Sequence, residues 1–241
     1  MAHVPAGDVK GNGPQGRYCV IIPAFNAAKT IGPLVRQIKP LGLSPVVIDD
    51  GSRDNTSAVA SAEGALVISH LRNQGKGAAL RTGFQYAMRS AFDGVVTMDG
   101  DGQHDPQEIA SLVRAGEVQH AGIVLGNRLA NGTVMPRSRR VTNKLMSSIV
   151  SAVVRQAIPD SQCGFRFIRK EVLGAVPLRA QRFDLETELI LGAAAQRWKI
   201  VSVPVRSIYP DAHHSHINPL WDGLRFLGLI ARHLVRRRLR A

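Results

Sequence analysis

Cysteine is nearly missing from this sequence: Cys19 and Cys163 are the only two in 241 residues. Two isolated thiols with no C-x-x-C pair give no disulfide framework and no structural zinc site, and they suit a reducing, cytosolic setting. No stretch reaches the roughly 18–20 apolar residues that span a bilayer. Residues 1–16 are glycine-rich and polar, without the apolar core of a secretory signal, and read as a flexible lead. One phosphate-binding signature is absent and another is misplaced. Without G-x-x-x-x-G-K-[ST] a Walker-type ATPase loop is a poor reading, and no G-x-G-x-x-G lies between a strand and a helix, the match at Gly11–Gly16 preceding the first strand, which weakens a dehydrogenase reading. Aromatic residues make up 5% of the chain and no recognisable nucleic-acid motif occurs, which argues against a nucleic-acid partner.

Positive charge is what the chain has in excess. Thirty-one Lys and Arg against eighteen Asp and Glu leave a formal net charge of +13. Such a surplus points to a polyanionic partner, either phosphate-bearing substrates or an anionic membrane surface. The length and the 44% hydrophobic content suit one α/β domain with a sizeable core.

Short apolar runs alternate with helical patterns. Tyr18–Pro23 reads as a buried strand, and Ile31, Leu34, Val35 and Ile38 follow at helical spacing. Pro45–Asp49 is a second strand, residues 56–63 a helix, Ala65–Ser69 a third strand and residues 77–90 a strong helix. Gly94–Met98 is a fourth strand; Pro106 opens a helix that runs to Gln119, and Ala121–Asn127 is a fifth strand. This order predicts an α/β fold with a mostly parallel sheet covered by helices on both faces. Beyond Arg128 the pattern loosens. A basic loop over 136–140 precedes a helix over 145–154, a polar turn at 160–164, a helix over 184–195 and a strand-like run over 200–208.

In such sheets, ligands bind beyond the carboxyl ends of the strands. Polar residues gather there: Asn26 after the first strand, Asp49 and Asp50 at the end of the second, Asp99 and Asp101 after the fourth. Asp99 and Asp101, one small residue apart, can turn toward a single point, while Gly100 and Gly102 let a ligand approach closely. Two hard oxygen ligands with open positions suit Mg²⁺ or Mn²⁺ bridging a diphosphate; a plain Asp-Gly turn is the alternative. Asp49 or Asp50 could accept from a base or ribose, and Lys76, opening a helix after Asn73-Gln-Gly, suits phosphate.

These segments carry a family resemblance. Ile21-Ile-Pro-Ala-Phe-Asn26, Val47-Ile-Asp-Asp-Gly-Ser52, Asn73-Gln-Gly-Lys-Gly77 and Met98-Asp-Gly-Asp-Gly-Gln-His-Asp-Pro106 resemble the family 2 glycosyltransferases of GT-A fold. Within that family they are similar to the dolichyl-phosphate mannose and glucose synthases and their bacterial polyprenyl-phosphate relatives. The likeness continues in Gly126-Asn-Arg128, Asp160-Ser-Gln-Cys-Gly-Phe-Arg166, Phe183-Asp-Leu-Glu-Thr-Glu188 and Val203-Pro-Val205. It implies a catalytic domain over residues 17–210 and an appended segment over 211–241. It further implies a GDP- or UDP-hexose donor and an inverting transfer to a polyprenyl phosphate at the cytoplasmic face of a membrane. Pro23, Phe25, Asn26, Asp49, Asp50, Lys76 and Gly100 would line the nucleotide sugar. Asp99, Asp101 and Gln103 would hold a divalent metal and diphosphate. Arg128, Arg139 and Arg140 would contact phosphates, and Asp160 would stand on the acceptor side.

Two departures bear on this. Ala27 stands where the family usually has Glu, and Ser215-His216 stands in place of a Ser-Lys pair, making His216 a softer phosphate contact within His213–His216. A phosphate acceptor is already ionised and needs no strong base; a soluble hydroxyl acceptor would need one, and Asp160 is then the candidate. The tail from Leu220 to Arg240 has helical amphipathicity. Arg225, Arg232 and Arg236 fall on one stripe, and Leu220, Leu224, Leu227, Ala231 and Leu234 on another. It reads either as an interfacial anchor on anionic lipid or as a helix packed on the catalytic domain, and a membrane-protein partner stays open.

Overall fold

The computed structural model describes residues 17–130, 135–178 and 184–208 and a helix over 219–238, with side chains of that helix described for residues 226–235. The lead over 1–16, Phe183 and the histidine stretch that includes His216 lie outside the described residues, as do the side chains of Leu220, Leu224, Arg225 and Arg236.

Seven strands form one sheet: β1 (Tyr18–Ala24), β2 (Ser44–Asp49), β3 (Leu66–Ser69), β4 (Gly94–Thr97), β5 (Ile123–Asn127), β6 (Arg166–Arg169) and β7 (Ile200–Pro204). Their order is β3-β2-β1-β4-β6-β5-β7. All neighbours run parallel except β6, which is antiparallel to both β4 and β5. Eight α-helices surround the sheet among the described residues: α1 (Ala28–Ile38), α2 (Thr56–Ala62), α3 (Lys76–Arg89), α4 (Ile109–Val118), α5 (Arg137–Val154), α6 (Lys170–Ala175), α7 (Asp184–Ala195) and α8 (Pro219–Arg238).

The two-residue period of β1 explains its unbroken apolar run. Cys19 and Ile21 enter one core, while Tyr18, Val20, Ile22 and Ala24 enter the other, so both faces need apolar side chains. Helices α1, α2 and α4 cover the second face; α3 and α5–α8 cover the first. Close approach is allowed where helices lack a side chain. A Cβ on Gly83 of α3 would come within 2.4 Å of Ile21, and one on Gly116 of α4 within 2.4 Å of Phe167.

Three elements differ from the sequence expectation. The basic run after Pro136 is no loop but the first turn of α5, for which Pro136, at φ −51°, is the N-cap. The run over 200–208 is strand only over Ile200–Pro204, and its last bond to β5 is from the Val205 amide to the Asn127 carbonyl at 3.1 Å. Strand β6 was not anticipated: arginines at both its ends hide the buried Phe167 and Ile168.

Candidate active site

Strands β2, β1 and β4 lie side by side and parallel, so their carboxyl ends open along one edge of the sheet. The loop after β1 is pinned by Asn26, which adopts φ 52°. Its amide donates to Ser52 Oγ at 2.9 Å, and its Oδ1 accepts from the Arg53 amide at 2.9 Å. Phe25, beside it, is left 47% exposed at this edge. Pro23 is buried within β1 opposite Ile48 and shapes the strand.

Asp49 and Asp50 are both buried, and their oxygens are engaged internally. Asp49 accepts from the Ser52 amide at 2.9 Å and from the Ser57 hydroxyl. Asp50 accepts from the amides of Gln74 and Gly75 at 2.9 and 2.7 Å, and its Oδ1 lies 2.7 Å from His70 Nδ1. Asp50 thus ties the turn ahead of α3 to the end of β2, a scaffolding role that the sequence reading, which turned these acids toward the nucleotide, did not foresee.

Lys76, the first residue of α3, reaches across to the acids after β4. Its Nζ lies 2.7 Å from Asp99 Oδ1 and 3.2 Å from Glu186 Oε2 of α7. Burial alone would lower the Lys76 pKa and raise that of Asp99. The ion pairs outweigh it, holding the ammonium above its ordinary value and the Asp99 carboxyl below its own. Lys76, expected as a phosphate contact, here clamps two carboxylates. Glu186 was not singled out from sequence, although it lies inside the Asp184–Glu188 motif.

Asp101, half-buried two residues on, accepts from the Gln103 amide at 3.0 Å. Gln103 is buried, and its carbonyl accepts from the Ile208 amide at 2.9 Å. The flanking glycines are required here: a Cβ on Gly100 would lie 3.1 Å from the Pro23 carbonyl, and Gly102 adopts φ 75°. His104 is buried against Phe165, with ring centroids 5.1 Å apart. Burial pushes its imidazole down to about 4 despite the pull of Asp99, so it is neutral near pH 7. Its Nδ1 has no hydrogen-bond partner among the described residues.

Arg128 and Asp160 were expected as separate phosphate and acceptor contacts, and the structure joins them. Arg128 Nε lies 2.8 Å from Asp160 Oδ2 and Nη2 3.0 Å from Oδ1, while the Arg128 amide also donates to Oδ2 at 3.2 Å. Asp160 is 0% exposed. Both carboxylate oxygens are bound to Arg128, which fixes the direction of its guanidinium. Nearby, the buried Arg166 donates to the carbonyls of Ser161, Cys163 and Glu186, fixing the 160–166 turn to α7. Arg139 and Arg140 stand half-buried on the first turn of α5, beyond residues 131–134, which lie outside the described residues.

The donor set fits a hard divalent cation. Asp99 and Asp101 offer carboxylate oxygens, and a cation, the Lys76 ammonium, already rests on one of them. Among the described residues no group of three or more His, Cys, Asp and Glu gathers for a metal. A hollow of about 370 Å³ lined by Ser44, Pro45, Tyr86 and Phe92 lies at the opposite edge of the sheet and contains none of these groups. Among the described residues no helix is long and apolar enough to cross a membrane.

Residues 19–176 match the family described as Glycosyl transferase family 2. The chain is 30% identical over 215 residues to a UDP-N-acetylglucosamine–dolichyl-phosphate N-acetylglucosaminyltransferase of Methanococcus voltae, covering 80% of this chain and 86% of that protein. It is 30% identical over 207 residues to a polyprenol monophosphomannose synthase of Mycolicibacterium smegmatis, covering 80% and 77%. Its fold superposes on glucosyl-3-phosphoglycerate synthase of Mycobacterium tuberculosis with a TM-score of 0.67 at 25% identity, covering 91% of this chain and 80% of that one.

Proposed function

The chain belongs to glycosyl transferase family 2 and has its GT-A fold; from that premise we propose that it transfers a hexose from a GDP- or UDP-sugar to a polyprenyl phosphate at the cytoplasmic face of a membrane. The observation that carries this reading is the division of one strand edge into an acidic half, Asp99 and Asp101, and a basic half, Arg128 held by Asp160. An acidic half suits a metal-bound diphosphate, and a buried, pre-oriented guanidinium suits a second phosphate. The names of the Methanococcus and Mycolicibacterium relatives, which point to dolichyl phosphate and a polyprenol monophosphate sugar, support a lipid acceptor.

In this reading Phe25 and Asn26 border the base and ribose, with Asp49, Asp50 and Pro23 shaping that wall. Asp99 and Asp101, with Gln103, would hold Mg²⁺ or Mn²⁺, and such a cation would supply positive charge for the nucleoside-diphosphate leaving group. Lys76 leaves Asp99 for the diphosphate while Glu186 keeps a hold on it. Arg128, Arg139, Arg140 and His216 bind the acceptor phosphate. That group is largely doubly ionised near neutral pH, its second pKa being roughly 6. Its oxygen forms the bond to the anomeric carbon as the bond to the diphosphate breaks, inverting configuration. No side chain needs to remove a proton, which agrees with an Asp160 whose oxygens are both bound to Arg128.

A soluble acceptor is the second reading, favoured by the likeness to glucosyl-3-phosphoglycerate synthase. The two separate in one assay. Radiolabelled UDP- and GDP-sugars are offered with Mg²⁺ or Mn²⁺ and an extracted polyprenyl-phosphate pool. Metal-dependent label in the organic phase is the expected result. Donor turnover with label only in water-soluble product would replace the lipid reading with the soluble one.

A further inference from the structure

Five of the ten large apolar side chains left exposed among the described residues lie on α5 and α8: Val141, Leu145, Leu227, Leu234 and Val235. On α5, Val141, Leu145, Ser148 and Ala152 recur at steps of four, three and four residues, forming one exposed line. The opposite line of Asn143, Ser147 and Val150 is buried. On α8, Leu227, Ala231 and Leu234 repeat that spacing on an exposed flank, while Phe226, Leu229 and Ile230 pack into the core. Both helices pack on α7 and touch each other, so they lie side by side over the same face of the sheet.

Charge decides what covers them. Helix α5 contains Arg137, Arg139, Arg140 and Lys144 and no acid. On α8, the residues whose side chains are described, 226–235, include the exposed Arg232 and no acid. A second copy of the chain would set this basic surface against its own like charge. An anionic bilayer accepts both parts at once, the apolar side chains below the headgroups and the basic ones among the lipid phosphates.

We propose that α5 and α8 together form the face that docks on an anionic bilayer, with α5 a lipid-contacting helix and not only a support for the core. This rests on the lipid-acceptor reading and deepens it. The first turn of α5, with Arg139 and Arg140, then lies at headgroup depth, where a polyprenyl phosphate presents its charge.

Co-sedimentation of the full chain with vesicles tests this, using phosphatidylcholine alone and phosphatidylcholine mixed with phosphatidylglycerol. The variants are Val141→Asp with Leu145→Asp, Leu234→Asp, and, as a control, Val118→Asp on α4, where the side chain is also exposed. All replace exposed side chains, so thermal unfolding should stay near that of the parent. Binding is expected only with the anionic lipid, about tenfold or more weaker for the α5 and α8 variants and unchanged for the control. An α5 variant that binds as the parent does would overturn the proposal. A parent chain that ignores anionic vesicles yet glycosylates detergent-dispersed polyprenyl phosphate would overturn it too, leaving the acceptor reading intact. Binding that follows the variants without any lipid-linked product would uphold the docking face and sink the acceptor reading.

Discussion

Arg128 and Asp160 form a closed pair: Nε to Oδ2 at 2.8 Å, Nη2 to Oδ1 at 3.0 Å, and both residues buried. The pair links the end of β5 to the turn before β6. Removing one partner of a buried ion pair costs about 3–5 kcal/mol, because the other charge stays buried without compensation. Asp160→Asn should therefore lower the urea midpoint and weaken acceptor binding together. The pH–rate profile of its residual activity should keep its shape, since Asp160 takes no proton in the reaction. Loss of the acidic limb in that profile would make Asp160 the base after all.

The carboxylates of Asp99 and Asp101 give a second expectation. Asp101→Asn removes one hard oxygen ligand without touching the core, so unfolding should move little while turnover falls by at least about a hundredfold. Chelation with EDTA should silence the parent enzyme, and added Mg²⁺ or Mn²⁺ should restore it. Full activity of the variant, or activity that survives chelation, would remove the metal from the reaction.

Much of this architecture is legible in the sequence, and the exceptions have physical causes. The parallel strands show as continuous apolar runs because both faces are covered; every residue of β1 is buried. Strand β6 escapes notice because Arg166 and Arg169 look like surface residues. Their charge is absorbed by backbone carbonyls, those of Ser161, Cys163 and Glu186 for Arg166 and those of Ala121 and Gly116 for Arg169. The acids of the site can be placed because chain order sets them after strands. Their partners cannot, because Lys76 meets Asp99 and Arg128 meets Asp160 through the order in which β1, β4, β6 and β5 lie in the sheet.

Phe25 is an exposed aromatic ring at the strand edge, with no core to serve. Stacking of a base on such a ring contributes about 1–3 kcal/mol. Phe25→Ala should therefore weaken nucleoside-diphosphate binding by roughly ten- to a hundredfold, read by calorimetry with the metal present, while thermal stability hardly changes. Unchanged affinity would place the base elsewhere along this edge.

His104 sets a pH window for stability. Its pKa falls from 6.5 in the free chain to about 4 in the fold, chiefly through burial. Between those values the unfolded chain binds a proton that the folded chain does not. Stability should thus be full above pH 6.5 and decline by about 3 kcal/mol as pH drops toward 4. Urea titrations in EDTA should show that slope, and His104→Gln should flatten it. Below this window the depressed carboxyl of Asp99 adds a further loss, as protonation breaks its pair with Lys76.

Gly164 separates support of the site from support of the fold. A Cβ there would lie 2.6 Å from Asp99 Oδ2 and 2.8 Å from Lys76 Nζ, while its own backbone shows no positive φ that would strain an alanine. Both clashing groups are the ends of side chains, so they can yield where packed backbone could not. Gly164→Ala should fold, with a melting temperature within a few degrees of the parent, because the change displaces a carboxylate and an ammonium and opens no cavity. The displaced carboxylate is the one proposed to meet the metal. Mn²⁺ affinity and turnover should therefore drop together by about tenfold or more, and higher Mn²⁺ should recover part of the rate. If the variant melts far below the parent, the Gly164 carbonyl, which accepts from Thr97 Oγ1 at 2.7 Å, matters more to the fold than the crowding at Asp99 does to the site.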